Sequence, residues 1–253
     1  MSMAPLLQLE DVTFGYDSEP VLRDVNLQIH DRDFLAIIGP NGGGKTTLLR
    51  LILGLESPWA GRVRWAGGGI PRIGYVPQFS TFDRNFPLRL RETVLMGRIG
   101  HGGWLRRRNR ADGEAVDRVL ADLGLAPLAD QPIADLSGGQ LQRALIARAM
   151  VCEPEILFLD EPTASVDAET RGALSNLLAE LNRNIPVVVV THDVTAMAVH
   201  VKQIACVNRR LFYHGSGQLS HSQLEEAYGC PVELIAHGVP HRLLHAHDEC
   251  EHG

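Results

Sequence analysis

The segment 34-FLAIIGPNGGGKTTLL-49 determines which fold this chain can adopt. Its first part, 34–38, is a short and continuously apolar run, which is typical of a strand buried on both faces of a parallel sheet. The part that follows, 39–46, matches the pattern G-x-x-x-x-G-K-[ST], and apolar residues recur at helical spacing after it. The sequence therefore predicts a strand, a glycine-rich loop and a helix in that order, within an α/β fold.

A loop of this composition is expected to bind the phosphates of a nucleoside triphosphate. Glycines let backbone N–H groups converge on phosphate oxygens, and the helix N-terminus adds a favourable dipole. Lys45 would reach the β- and γ-phosphates and Thr46 would bind Mg²⁺ through its hydroxyl. The chain has 22 arginines and only two lysines, so the lysine at this position departs from the basic residue that the chain uses almost everywhere else. The predicted nucleotide-binding residues of the loop are Gly39, Pro40, Asn41, Gly42, Gly43, Gly44, Lys45, Thr46 and Thr47.

A second predicted centre lies in 156-ILFLDEP-162, where two acids end an apolar strand. Carboxylates at the carboxyl end of a parallel strand lie where α/β folds bind ligands. We expect Asp160 to hold Mg²⁺ and Glu161 to polarise a water for in-line attack on the γ-phosphate.

The pattern between these centres changes from strand to helix and back. Segments 88–98, 111–125 and 138–151 have helical spacing, whereas 187–191 reads as another buried strand and 168–183 as an amphipathic helix. We predict an ATP-binding core over 1–86 and 152–228, a helical subdomain over 87–151, and a histidine-rich tail over 229–253.

Composition excludes several classes of protein. With 253 residues, 45% hydrophobic content and a net charge of −6, the chain is expected to be globular and not to bind nucleic acid. No segment approaches the roughly 20 apolar residues of a membrane span, and no basic residue precedes Arg23 to form a secretory signal. A soluble cytoplasmic protein with reduced cysteines is the expectation.

The segment 136-LSGGQ-140 matches the signature motif of the ATP-binding cassette (ABC) ATPases, and the chain resembles that family. The family's other motifs are present in order over about residues 6–228. By this resemblance Tyr16 stacks on adenine, Gln78 contacts Mg²⁺ and the attacking water, and His192 contacts the γ-phosphate. Asp167, in 165-SVD-167, matches the acid of the loop after the catalytic glutamate. Lys45, Gln78, Glu161 and His192 are thus the expected catalytic residues, and Thr46, Gln78 and Asp160 the expected Mg²⁺ ligands.

The resemblance also implies a fold, a cofactor and partners. It implies a P-loop NTPase core with an N-terminal antiparallel β subdomain and a helical insert, working with ATP and Mg²⁺. Two copies would close head to tail, so that the signature residues of one copy complete the ATP pocket of the other. Those residues are Ser137, Gly138, Gly139 and Gln140, which begin a helix whose N-terminus suits an anion. The resemblance implies that a single cassette of this kind is attached to the cytoplasmic side of the membrane by separate permease subunits. An extracytoplasmic metal-binding protein would deliver the metal ion to those subunits.

The segments 86–98 and 104–120 resemble the zinc and manganese importer group of this family. The predicted function is therefore an ATPase subunit for import of a divalent metal ion. Two alternatives remain. Siderophore and cobalamin importers share part of the 94-VLMGR-98 pattern, and a regulatory cassette would use ATP-driven dimerisation without transport.

The tail 237-HGVPHRLLHAHDECEHG-253 concentrates possible metal ligands. His241 and His245 would share one face of a short helix, with His247 and Cys250 close behind. Imidazole and thiolate are the usual ligands of Zn²⁺, and four such groups suffice for a tetrahedral site. The alternative is a solvated terminus with no fixed metal site, and the sequence leaves both open.

Overall fold

A computed structural model describes residues 4–78, 87–99, 109–163, 167–191 and 200–214 of the chain. The strands are β1 (Leu7–Tyr16), β2 (Glu19–Ile29), β3 (Phe34–Ile38), β4 (Ala60–Trp65), β5 (Ile73–Val76), β6 (Ile156–Asp160), β7 (Val187–Val190), β8 (Gln203–Asn208) and β9 (Arg210–His214). The α-helices are α1 (Lys45–Ile52), α2 (Leu90–Leu95), α3 (Arg110–Asp122), α4 (Gly138–Met150) and α5 (Ala168–Leu181).

These strands form two sheets of different character. Strands β2, β1 and β4 make an antiparallel sheet in that order, and a six-stranded sheet has the order β5-β6-β7-β3-β8-β9. The larger sheet is parallel except for β9, which pairs antiparallel to β8 at one edge. The predicted α/β fold with an antiparallel β portion is confirmed.

The central strand β3 shows why its run is continuously apolar. All five of its residues are buried, because both faces of the sheet are covered. Phe34, Ala36 and Ile38 belong to the core that faces α2–α5. Leu35 and Ile37 belong to the opposite core, which the antiparallel sheet and α1 complete. The strand therefore holds the glycine-rich loop at a fixed point between two packed layers.

Local capping signals set where the helices of the 87–151 segment begin. Ser137 caps α4, accepting from Gln140 N at 3.2 Å, and the Gln140 Oε1 accepts from Ser137 N at 2.9 Å. Asn109 and Asp112 form the same reciprocal arrangement at the start of α3. In the described ranges no helix is long and apolar enough to cross a membrane. The division into a core and a helical subdomain stays a prediction.

The segment expected to be helical over 88–98 differs in its last turn. Helix α2 ends at Leu95, and Met96–Arg98 continues as a 3₁₀ turn. A Cβ added to Gly97 would lie 2.0 Å from the carbonyl oxygen of Arg148, so the turn passes directly against α4.

Arg98 then points into the protein instead of out to solvent. Its Nε lies 3.1 Å from Asp112 Oδ1 and its Nη1 donates to Val151 O at 3.1 Å. The side chains of Arg98 and Asp112 are only 9% and 6% exposed. One buried guanidinium thus joins the end of the α2 segment, the start of α3 and the end of α4.

Candidate functional site

The phosphate loop and the second acidic centre line one cavity at the carboxyl edge of the six-stranded sheet. The cavity has a volume of about 230 Å³. Its lining residues are Val21, Asn41, Gly42, Gly44, Lys45, Thr46, Thr47, Gln78, Asp160 and Glu161. Three of the four parts of the chain that face this space end or follow β3, β5 and β6, because the carboxyl ends of parallel strands share an edge; the fourth comes from the antiparallel sheet.

The loop reaches α1 through a backbone turn that requires glycine. Gly44 is the N-cap residue of α1 and has φ +99°, in the left-handed region. A Cβ at this position would also lie 2.6 Å from Leu22 Cδ2. Gly43 O accepts a hydrogen bond from Arg209 N at 3.0 Å, which ties the loop to the chain after β8. The loop is also closed on itself, since Gly43 N donates to Pro40 O at 3.1 Å, so these contacts hold it in place at the start of α1.

Lys45 is buried at the base of this loop. Its Nζ donates to Gly39 O at 2.9 Å and to Pro40 O at 3.0 Å. Burial lowers the pKa of the Lys45 ammonium, and the charges of Glu161 and Asp160 act in the opposite direction. Two carbonyl oxygens therefore hold a compact cation at the place where phosphate charge would have to be neutralised.

Asp160 comes from the end of β6 and faces the start of α1. Its Oδ2 lies 3.5 Å from Thr46 Oγ1, at the outer limit of a hydrogen bond. Burial, and next to it the charge of Glu161, raises the pKa of the Asp160 carboxyl, while Lys45 and Thr46 lower it.

The donor chemistry around Asp160 fits a magnesium ion. A carboxylate, a hydroxyl and, from Gln78, an amide oxygen line the same cavity, and Mg²⁺ prefers oxygen ligands beside phosphate. These are the three groups that the sequence predicts for this ion.

Glu161 has an unusual backbone conformation for an acid at a strand end. Its φ is +48°, in the left-handed region that non-glycine residues adopt rarely. Its N–H donates to Val190 O at 2.8 Å, so the neighbouring strand β7 fixes the strained residue. Six other non-glycine residues in the described ranges also have a positive φ, so it is the place of Glu161 in the cavity lining that marks it as a site residue.

Val21 is a cavity residue that sequence reasoning missed. It lies in β2, which belongs to the antiparallel sheet, and lines the cavity opposite the loop. A Cβ on Gly44 would approach Val21 Cγ1 to 3.5 Å. Apolar residues alternate in β2 only from Val25 to Ile29, and Val21 stands next to the buried Leu22, so no motif or period marks this valine as a site residue.

Tyr16, the predicted adenine-stacking residue, lies at the end of β1 outside the cavity lining. Its ring is supported edge-on by Phe14, with ring centroids 5.3 Å apart. Trp59 packs on the other side of the cluster, 5.9 Å from Phe14. Tyr16 is 43% exposed, which leaves ring surface accessible to a planar ligand.

The signature residues do not join this cavity within one copy of the chain. Ser137, Gly138, Gly139 and Gln140 form the first turn of α4, and none of them is among the described residues that line the cavity. The N-terminus of α4 therefore presents its N–H groups elsewhere on the surface.

Asp167 likewise lies apart, as the N-cap residue of α5. Its carboxylate accepts from Thr170 N at 2.8 Å and from Thr170 Oγ1 at 2.9 Å. These hydrogen bonds lower the pKa of the Asp167 carboxyl. The carboxylate is thus committed to its own helix in this structure.

Several predicted site residues lie outside the described residues. They are His192, expected at the γ-phosphate, and the tail ligands His241, His245, His247 and Cys250. Over the described ranges no group of three or more His, Cys, Asp or Glu side chains is arranged to hold a metal ion.

Comparison with known proteins places this geometry among transporter cassettes. A family model described as "ABC transporter" matches residues 22–164. The manganese transport system ATP-binding protein MntB of Bacillus subtilis (strain 168) is 39% identical over 250 residues, covering 96% of this chain and 99% of that protein. The zinc uptake system ATP-binding protein ZurA of Listeria innocua is 37% identical over 223 residues, covering 85% and 87% of the two chains.

Solved structures show the same architecture. A chain from an inward-facing metal-chelate type ABC transporter has a TM-score of 0.81 and 31% identity, and 90% of each chain is covered. The cassette MJ0796, in a dimeric post-hydrolysis state bound to ADP and phosphate, has a TM-score of 0.69 and 27% identity. That match covers 84% of this chain and all of the other.

Proposed function

The chain belongs to the ABC transporter family, and on that premise we propose that it is the ATPase subunit of an importer for a divalent metal ion, zinc or manganese. The observation that supports this choice of cargo is the 39% identity to a manganese transport ATP-binding protein along nearly the whole of both chains. Zinc uptake proteins are almost as similar. ATP hydrolysis is the activity of the family, and the metal ion is the cargo moved by the permease, not a ligand of the cavity.

The cavity supports the binding of ATP through its β- and γ-phosphates. The N–H groups of residues 42–47 would surround the phosphate oxygens at the start of α1. Lys45, already held by Gly39 O and Pro40 O, would add a positive charge beside them. Tyr16 would stack on the adenine with its exposed ring face.

Three residues would hold the magnesium ion that accompanies ATP: Thr46, Gln78 and Asp160. When bound, the ion neutralises charge on the β- and γ-phosphate oxygens. The burial that raises the pKa of Asp160 also strengthens the attraction of its charged form for a cation.

Glu161 would act as the base in hydrolysis. Its carboxylate accepts a proton from water, whose oxygen forms a bond to the γ-phosphorus. The bond from the γ-phosphorus to the bridging oxygen breaks, and ADP and inorganic phosphate leave. His192 would stabilise charge on the transferred phosphoryl group.

The complete site would require two copies of the chain. In one copy the signature residues lie away from the phosphate cavity, although the N-terminus of α4 is built to receive an anion. We therefore propose a head-to-tail homodimer in which Ser137 and Gly139 of one copy contact the γ-phosphate bound to the other. The dimeric state of MJ0796 with ADP and phosphate supports this arrangement.

The same proposal places the chain on the cytoplasmic face of the membrane, attached to permease subunits. A metal-binding protein outside the cytoplasm would deliver the cargo. The permease would dock in the groove near Gln78, between the sheet and the helices of the 87–151 segment. ATP-driven closure of the dimer would then move the permease.

A metal chelate is the second candidate cargo. The 31% identity and the TM-score of 0.81 to the metal-chelate type transporter favour it. A strain lacking this chain separates the two candidates by its metal content. We expect cellular zinc or manganese to fall several-fold and to recover with the intact gene. If only iron or a chelated cofactor falls, the cargo is the chelate. If no metal changes, the import function is wrong.

We also propose that the tail binds Zn²⁺ through His241, His245, His247 and Cys250, and so restrains import when cytoplasmic metal is plentiful. The support is the density of imidazole and thiolate groups within ten residues. Equilibrium dialysis of the full chain against a chain ending at residue 236 tests it. Equal Zn²⁺ binding by the two would refute the tail site.

A further inference from the structure

Thr170, in the first turn of α5, contacts two parts of the predicted ATP machinery at once. Through its N–H and its hydroxyl it donates to both carboxylate oxygens of Asp167, at 2.8 and 2.9 Å. Its methyl group faces Gly139 in the first turn of α4: a Cβ added to Gly139 would lie 2.6 Å from Thr170 Cγ2 and 3.3 Å from Thr170 Oγ1. The two helix N-termini therefore meet at this one side chain.

The space beside Gly139 leaves no room for a side chain at that position. A Cβ at this position would be too close to Thr170 Cγ2, so any residue larger than glycine would require the Thr170 side chain or one of the two helices to shift. Thr170 cannot turn this methyl group away from Gly139 without moving its hydroxyl off Asp167. A shift of the first turn of α5 towards α4 would therefore press against Gly139.

The other contact leads back to Glu161. Asp167 follows that residue by six positions, and Glu161 is itself fixed by its bond to Val190 O and by its strained φ. Asp167, the N-cap that accepts from Thr170, thus follows the end of β6 by seven positions in the sequence. Thr170 follows the residue that would activate water by nine positions in the sequence, and its side chain meets the turn that would face the other copy's ATP.

We propose that Thr170 is a positioning residue that couples the two ATP sites of the dimer, and this rests on the dimer of the proposed function. Each copy hydrolyses ATP with its own Glu161 and completes the partner's site with its own Ser137 and Gly139. Thr170 links these two roles within one copy. Changes at one ATP are passed to the other through the contacts Asp167–Thr170–Gly139.

Three substitutions divide the coupling into its two contacts. Thr170→Ser keeps the hydroxyl that bonds Asp167 and removes the methyl group that meets Gly139. Thr170→Val keeps a methyl group and removes the hydroxyl, and Thr170→Ala removes both. Gly172→Ala is the matched control on the same helix, because a Cβ there meets nothing within 4 Å.

The first measurement is ATP-dependent dimerisation of the full chain carrying Glu161→Gln, with each Thr170 substitution added. We expect Thr170→Ala to weaken the dimer about 10-fold, within the usual range of coupling energies, with the serine and valine variants between. Binding of a fluorescent ATP analogue to the monomer should change less than about 2-fold, because Thr170 does not line the cavity. In chains that keep Glu161, the Hill coefficient of hydrolysis should fall towards 1. Gly172→Ala should behave as the parent.

The second measurement is a rescue. Gly139→Ala alone should weaken the dimer strongly, because its methyl group collides with Thr170 Cγ2. Adding Thr170→Ala should restore part of the loss, since the Cβ of residue 170, which the substitution keeps, lies 3.6 Å from the added methyl group. A double variant no better than Gly139→Ala would overturn the contact.

The two proposals fail in different ways. If the Glu161→Gln chain stays monomeric with ATP and magnesium, the proposed composite site is wrong and the coupling falls with it. If that chain dimerises, and adding Thr170→Ala changes neither the dimer nor, in the Glu161 chain, the Hill coefficient, only the coupling is wrong.

Discussion

Thr46 and Asp160 are 114 positions apart in the chain, and their side-chain oxygens lie 3.5 Å from each other. One residue begins the helix after β3 and the other ends β6, with β7 between the two strands in the sheet. The distance shows that the phosphate loop and the acidic centre form one site. Asp160 is 5% exposed, so its charge acts in a medium that screens it weakly.

Replacing this carboxylate should remove the dependence of ATP binding on magnesium. We expect Asp160→Asn to weaken ATP binding in magnesium by about 10-fold or more, because a charged oxygen ligand becomes a neutral amide. In EDTA the variant and the parent should bind ATP alike, as measured by fluorescence titration. The control is Asp33→Asn, a buried acid at the opposite end of β3. Equal magnesium dependence in the Asp160 variant and the parent would exclude the assigned role.

The lysine of the phosphate loop should not tolerate arginine. Lys45 Nζ fits between two loop carbonyls, and a planar guanidinium is wider than an ammonium. We expect Lys45→Arg to weaken ATP binding by about 30-fold or more in isothermal titration.

The only other lysine supplies a matched control for that substitution. Lys202 Nζ also donates to two oxygens, Arg32 O and Asn182 Oδ1, each at 3.0 Å. It does not line the cavity, so Lys202→Arg should leave ATP binding unchanged. Similar losses in both variants would mean that the effect is one of stability and not of phosphate contact.

Two arginines allow the contribution of a buried ion pair to stability to be compared with that of an exposed pair. Arg98→Ala should lower the free energy of unfolding by about 3–5 kcal/mol, because it removes a buried cation that pairs with the buried Asp112 carboxylate. Arg110→Ala should lower it by about 0.5 kcal/mol or less, since the Arg110 side chain is 93% exposed in its pair with Glu114. Urea denaturation followed by circular dichroism measures both. Equal effects would contradict the burial seen around Arg98.

The buried thiol of Cys206 should be inert in the folded chain. Burial raises its pKa to about 12, so only about one thiol in 10⁴ is ionised at pH 8. We expect no alkylation of Cys206 by iodoacetamide until the chain is unfolded in urea, as followed by peptide mass mapping. Rapid labelling without denaturant would show that the strand β8 is not packed as described. The half-buried Cys152, whose pKa burial also raises, should react slowly.

Much of this architecture follows from local patterns in the sequence. Buried strands such as β3 and β6 have continuous apolar runs, and the Ser137–Gln140 capping box marks the start of α4. These signals act over a few residues, so they can be read directly. The meeting of the loop with Asp160 also follows, because carboxyl ends of parallel strands share an edge.

Contacts between segments that are distant in the sequence cannot be predicted from such local patterns. The 88–98 segment looks helical throughout, but the turn at Met96–Arg98 tightens where Gly97 passes the carbonyl of Arg148. The burial of Arg98 depends on Asp112 and on the end of α4, which pack against it only in three dimensions. Val21 lines the cavity for the same reason, since its place depends on how the antiparallel sheet covers the parallel one.

The initial rate of radioactive zinc and manganese uptake is the most direct test of the central claim, that hydrolysis at Glu161 drives metal import. A strain lacking the chain is supplied with the parent gene or with Glu161→Gln at equal expression. We predict that the parent restores uptake of one of the two metals, and that the variant leaves it at the level of the deletion strain, at least about 10-fold lower. Uptake by the variant at the parent rate, or no difference between the deletion strain and the parent, would contradict the account.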